Sequence, residues 1–320
     1  MTTTPTAKKA PTKRKWKFPL TAFFAAIIII IGVTVFTYPQ IASWFDQREQ
    51  ARVLALQLEA LRTSPNNDEE YRAQQLVLAH EYNDALSSGF VVGAYENKPS
   101  SSGAGGNQFN YQELLSAGNE GVMTRLKYEK VGVDLPVYHG TSDEVLDKGL
   151  GHLEGTSLPV GGIGTRSVIT GHRGLATATM FTNLDKSEIA DRFTLETFGE
   201  VLTYEVKDIK VIAPEDTEEL IADPSRDLVT LVTCTPLGIN THRILVTGER
   251  VTPTPIEDLD NAGKVSELPG FPWWTVILGG TVIAGICYVW WSGYPAKPKK
   301  PKEKAAGDTN AADTTRETTK

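Results

Sequence analysis

The sequence predicts a mainly β domain, a barrel or sandwich, held between two apolar segments long enough to cross a bilayer. Short β-branched and apolar runs recur through residues 121–251, separated by turn residues at a spacing typical of all-β domains. Residues 20–38 and 273–291 are uncharged and apolar, each close to the ~20 residues a helix needs to span the hydrocarbon layer. Basic residues flank the outer side of each apolar run, which orients both ends toward the cytoplasm.

Residues 1–18 form a basic tail with Lys8, Lys9, Lys13, Arg14, Lys15 and Lys17, and residues 1–17 contain no acid. Such a segment cannot build a core. Residues 19–39 read as an uncleaved membrane helix, since Tyr38-Pro39-Gln40 is a poor signal-cleavage site. Residues 40–88 read as a juxtamembrane helical region, with Leu54, Leu58 and Leu61 at helical spacing. It is split at Ser64-Pro65-Asn66-Asn67-Asp68, where Asn67 or Asp68 suits an N-cap, and its second helix is expected on the barrel. Residues 89–118 include Ser100-Ser101-Ser102-Gly103-Ala104-Gly105-Gly106 and read as a flexible loop.

Residues 119–251 form the predicted catalytic domain. Strands are expected at 122–126, 131–138, 167–170, 192–197, 201–211, 228–233 and 243–251, with a hairpin turn at Phe198-Gly199-Glu200 and a helical turn within 175–185. Residues 252–270, rich in Pro and Asp, read as a linker. Residues 271–293 are the second membrane helix, with Trp273-Trp274 and Trp290-Trp291 as interfacial pairs. A basic tail with Lys297, Lys299, Lys300, Lys302 and Lys304 completes residues 294–320.

Composition narrows the chemistry. A net charge of −7 argues against nucleic acid as a partner. Of two cysteines, Cys287 lies in an apolar run, which leaves Cys234 alone in the predicted outer domain without a disulfide partner. No Cys/His cluster has zinc-ligand spacing and no Gly-rich phosphate loop occurs, so neither metal nor cofactor is expected.

The strand at 228–233 should stop near Pro236, which cannot donate to a ladder, and this leaves Cys234 at a strand end. His172 follows another strand between glycines, and Arg243 opens a third. Thiol, imidazole and guanidinium suit acyl transfer as nucleophile, proton carrier and oxyanion donor. Singly, each has a plainer reading: a small buried hydrophobe, a structural imidazole, an edge charge. His139 and His152, beside glycines in loop-like segments, read as structural, His80 as part of the anchoring helix, and His242 as a rim residue.

The motifs Thr230-Leu231-Val232-Thr233-Cys234 with Arg243, and Thr170-Gly171-His172-Arg173-Gly174, resemble those of sortases, the cysteine transpeptidases of Gram-positive envelopes. Cys234-Thr235-Pro236 with Asn240-Thr241-His242-Arg243, and the stretch from Leu135 through Pro159, are similar to the pilus-building class C branch. The resemblance covers residues 82–251. It implies a closed β-barrel of about eight strands and a C-terminal anchor. It also implies Cys234 as nucleophile, His172 as general acid/base and Arg243 as oxyanion or substrate stabiliser. The substrates implied are pilin or surface proteins with LPxTG-like sorting signals, cut between Thr and Gly. The acceptor is an amine, a pilin lysine in this branch.

Class C sortases usually carry a lid with an Asp-Pro-aromatic motif ahead of the barrel. No such motif occurs in residues 89–118, and Asp223-Pro224 falls elsewhere, so an open or loosely covered site is expected. The alternatives are a housekeeping sortase that attaches surface proteins to peptidoglycan, or a membrane-tethered binding domain with an inert cysteine. A papain-like protease fits less well, because there the nucleophile opens a helix.

Overall fold

A computed structural model describes residues 15–89, 109–118, 121–266 and 269–294. Most of the predicted loop at 89–118 therefore lies outside the described residues, as do most of both basic tails. The chain divides into two compact units, residues 35–276 and a second built from the stretches before 35 and after 276.

The larger unit is built on a closed eight-stranded barrel: β1 (Val122–Tyr128), β2 (Val133–His139), β3 (Leu150–His152), β4 (Thr165–Thr170), β5 (Arg192–Thr197), β6 (Glu200–Ile212), β7 (Asp227–Thr235) and β8 (His242–Arg250). Around the barrel the order is β1-β2-β3-β4-β7-β8-β6-β5. β2–β3 and β4–β7 pair in parallel and the other neighbours antiparallel. Closure leaves no open sheet edge. Alternation fills the interior with Leu126, Leu135, Ile169, Phe193, Leu195, Tyr204, Val229, Leu231 and Val246, all buried.

The turn at Phe198-Gly199 joins β5 to β6 with both residues at positive φ, 47° and 93°, as a two-residue hairpin requires. β7 stops one residue before Pro236. β3 was not among the predicted strands. Three residues with two polar partners carry no readable alternation, and only pairing with β2 and β4 makes them a strand. His139 and His152 consequently sit in strands rather than loops. The strand expected from Val131 begins at Val133, because Gly132 takes φ 70° after a 3-10 turn. The helical turn expected in 175–185 appears only as a 3-10 turn at Leu184–Lys186.

The apolar run and the first juxtamembrane segment are one helix, α1 (Leu20–Leu61), with Pro39 inside it. Proline removes one ladder bond, yet the helix continues past it to Leu61. Residues 62–67 end it. Asp68 then caps α2 (Glu69–Gly89) through a bond from the Glu70 amide, 2.9 Å. His80 therefore lies on α2 and not on the anchoring helix. α2 lays Ala79, Tyr82 and Leu86 on Met123, Leu158, Val160 and Phe198 of the barrel domain. Asn83 fixes the contact by bonding both backbone groups of Leu158, at 2.7 and 3.2 Å.

The remaining helices are α3 (Asp143–Lys148), α4 (Ile256–Asn261) and α5 (Trp273–Ser292). The segment read as a linker is docked. Thr203 bonds Asp258 on α4 (2.7 Å), Arg125 bonds the Lys264 carbonyl (2.7 Å) and Ser266 bonds Asp134 (2.7 Å). These bonds cross from residues 258–266 to strands far away in sequence, which local composition does not reveal.

Stretches of α1 and α5 belong to the second unit, where Gly285 faces Ala26 and Ile30. Trp16 donates to the Trp290 carbonyl (3.0 Å). α1 and α5 are both long and apolar enough to cross a membrane.

Candidate active site

Cys234 and Arg243 share the outer face of the β7–β8 pair, and the backbone of His172 follows β4 beside the end of β7. β7 and β8 pair antiparallel with Cys234 directly opposite Arg243, so both side chains leave the sheet on one face, with Cβ atoms roughly 4.5–5.5 Å apart. β4 runs parallel to β7 with Thr170 abreast of Val232. The chain then continues in step. The Gly171 amide donates to the Val232 carbonyl (3.1 Å), and Thr233 Oγ1 donates to the Gly171 carbonyl (2.7 Å). Two residues beyond the last paired position, His172 comes level with Cys234.

Gly171 is required by packing. A Cβ there would press on Leu150 and Phe181, and the loop would be pushed off β7. Thr233 points inward and is buried, so it locks the backbone that presents His172 and does not face the thiol.

Cys234, His172 and Arg243 are all partly exposed. His172 Nε2 lies 3.8 Å from Asp147 Oδ1 at the end of α3. Arg243 Nη1 donates to the carbonyls of Asn240 and His242, both at 3.1 Å, which holds the guanidinium against the β7–β8 loop. His242 is exposed and its Nδ1 meets Thr241 Oγ1 at 3.0 Å.

Along the same outer face Val168, Val232 and Leu245 form an apolar patch flanked by Leu153, Ile212 and Leu220. β-Alternation puts this patch in line with Cys234 and Arg243.

Arg173 is the residue missed by reading the sequence. Its side chain is only 9% exposed and clamps three segments. Nη2 meets Asp185 Oδ2 at 2.7 Å, Nη1 donates to Thr235 Oγ1 at 3.0 Å, and Nε donates to the Thr182 carbonyl at 3.3 Å. It thus ties the residue after His172 to the residue after Cys234. Its place inside the Thr170-Gly171-His172-Arg173-Gly174 motif was the available signal.

His139 and His152 stand away from this face, beside the entry of residues 109–118. His152 Nε2 donates to the Ser157 carbonyl (2.9 Å), so Nδ1 accepts from Tyr111 Oη (2.8 Å). Tyr111 Oη also accepts from the Gly140 amide (3.0 Å), and His139 Nε2 donates to the Leu114 carbonyl (2.7 Å). Burial pushes the His152 imidazole down to about 4 and lowers His139 as well. Among the described residues no group of three His, Cys, Asp or Glu is placed to hold a metal.

A closed barrel that brings a cysteine, a histidine and an arginine to the same end suits a cysteine acyl-transfer domain. Comparison with known proteins agrees. The family model described as Sortase domain matches residues 126–251. The chain is similar to the crystal structure of sortase C-1 from Actinomyces oris, with 46% identity, 56% of this chain and 98% of that chain covered, and a TM-score of 0.50. It is also similar to sortase C1 of GBS Pilus Island 1, with 34% identity, 71% and 97% covered, and a TM-score of 0.55. Sortase D of Bacillus subtilis (strain 168) is 30% identical over 131 residues, which are 40% of this chain and 63% of that protein's length. The chain belongs to the sortase family, and its barrel is that of a sortase-type cysteine transpeptidase.

Proposed function

We propose that this protein is a membrane-anchored class C sortase that joins an LPxTG-like sorting signal to a lysine amine of a pilin. The observation that carries the chemistry is the pairing of Cys234 with Arg243 across β7 and β8, with His172 brought level by the Gly171 backbone. Cys234 as thiolate attacks the Thr–Gly carbonyl of the signal. The C–N bond breaks, His172 protonates the leaving amine, and a thioester to Cys234 remains. The incoming amine loses its proton to His172, attacks the thioester, and frees the thiolate. Arg243 donates to the developing oxyanion, a task that suits its planar fork.

The class C reading draws on the similarity to sortase C-1 and to the pilus-island sortase, and on the second apolar helix near the C-terminus. The basic flanks support both termini in the cytoplasm with the barrel outside. Intact-mass analysis with a sorting-signal peptide tests the chemistry: a thioacyl adduct is expected on the wild type and none on Cys234→Ala. Absence of any adduct on the wild type sinks the proposal. Supplying a pilin lysine against a peptidoglycan amine as acceptor decides between polymerising and housekeeping roles.

A further inference from the structure

The order of strands puts a further element in line with the catalytic residues. β4 lies between β3 and β7. β3 pairs antiparallel to β4, with His152 opposite Ile169 and Gly151 opposite Thr170. Carried two residues past that last pair, the register sets Gly149 level with His172. α3 ends at Lys148, directly before Gly149. Its last turn therefore stands beside His172 on the side away from Cys234. Across the sheet end the order is α3, His172, Cys234, Arg243. α3 is fixed at both ends. Ser142 Oγ accepts from the Val145 amide (3.4 Å), and the Gly149 amide donates to the Val145 carbonyl (3.1 Å). Gly151 lets the helix sit close, since a Cβ there would press on Leu146 and on the Gly140 carbonyl.

Asp147 is in that last turn. Its Oδ1 lies 3.8 Å from His172 Nε2, too far for a direct hydrogen bond. Two acceptors at that separation are both within ordinary hydrogen-bond reach of one nitrogen placed between them. The Asp147 side chain is 69% exposed, and among the described residues no lysine or arginine pairs with it. The neighbouring charges are already matched: Lys148 with Glu144 at 2.9 Å and Arg173 with Asp185 at 2.7 Å. Asp143, one turn back on the same helix, and the free carbonyls at the C-terminal end of α3 add to the negative field. An imidazole and a carboxylate so spaced, in such a field, suit a compact cation that carries transferable protons.

We infer that Asp147 binds the acceptor: its carboxylate holds the ε-ammonium of the incoming lysine against His172 Nε2. This rests on the transpeptidase reading and adds to it the residue that receives the second substrate. The bound ammonium passes one proton to His172, and its lone pair attacks the thioester carbonyl on Cys234. The C–N bond forms and the C–S bond breaks. The second proton leaves to water, and Cys234 departs as thiolate beside the protonated imidazole. Water carries no charge for Asp147 to hold, so the carboxylate favours transfer to the amine over hydrolysis. An exposed ammonium–carboxylate pair is worth a factor of about five in affinity.

The test uses the full chain in detergent micelles with a sorting-signal peptide as acyl donor. Mass spectrometry measures the ratio of amine adduct to hydrolysed signal with two acceptors below saturation. One is Nα-acetyl-lysine amide, a cation at neutral pH, and the other is hydroxylamine, which is uncharged there. Asp147→Asn should lower the ratio for the lysine amide about fivefold and not that for hydroxylamine. Asp147→Lys should lower it further, and Asp147→Glu should retain part of it. High salt should shrink the difference between the wild type and Asp147→Asn. An equal loss with both acceptors would make Asp147 a positioning residue of His172 and overturn the assignment. So would an unchanged ratio in Asp147→Lys, or a wild type that uses hydroxylamine and not the lysine amide. Absence of any thioacyl enzyme on the wild type instead removes the acyl-transfer reading, and this site with it.

Discussion

Arg173 joins two catalytic segments that are far apart in sequence, and its contribution is expected in turnover rather than in binding. Removing it frees Thr235 and Thr182 and lets the His172 loop drift from Cys234. Arg173→Ala should lower kcat by roughly tenfold to a hundredfold with KM little changed, since small misplacements of reacting groups are costly. A matching loss in KM would show that Arg173 holds substrate instead. His152 offers a second residue-scale outcome. Full burial disfavours its charged form and outweighs the opposing bond to the Ser157 carbonyl, so its imidazole should titrate with a midpoint near 4 by NMR. Because the unfolded chain protonates near 6.5, His152 contributes stability that is present above that pH. It is lost as pH falls toward 4, by about 2 kcal/mol at pH 5. A midpoint near 6.5 would contradict this.

Among the elements, α2 shows how a helix of weak amphipathicity is fixed to a barrel. Ala79, Tyr82 and Leu86 supply the apolar contact, and Asn83 satisfies both backbone groups of Leu158. Asn83→Ala would leave a buried N–H and C=O unpaired. It should cost about 2–3 kcal/mol and lower Tm by roughly 5–10 °C in thermal melts. An unchanged Tm would mean that the helix is held by its apolar face alone. β7 and β8 show the complementary case. Their register is set by buried alternation, Leu231 inward and Val232 outward, so a one-residue slip would separate Cys234 from Arg243 as well as break the core.

For the whole molecule, the expected topology has the barrel outside and both tails inside. A membrane-impermeant thiol reagent applied to intact cells should label an engineered cysteine at Ser102 and not one at Thr309. Labelling at Thr309 would reverse it. The open site expected from the missing Asp-Pro-aromatic motif concerns residues outside the described ones. Deleting residues 95–107 and measuring the alkylation rate of Cys234 addresses it: similar rates fit an open site, and a large rise reveals a cover.

The sequence by itself determined the class of fold, the two apolar helices, the break before α2 and the hairpin at Phe198-Gly199, because these follow from local periodicity and turn chemistry. It also singled out Cys234, His172 and Arg243, since strand ends and glycines mark where side chains can leave a sheet. Only the tertiary structure decided that β3 is a strand, that residues 256–266 are docked, and that Thr233 locks Gly171 from inside the barrel. The same holds for the clamp made by Arg173. Each of these depends on bonds between residues tens to more than a hundred positions apart. Local pattern cannot encode which distant carbonyl a buried donor will find. That is settled when the barrel closes and every buried polar group must have a partner.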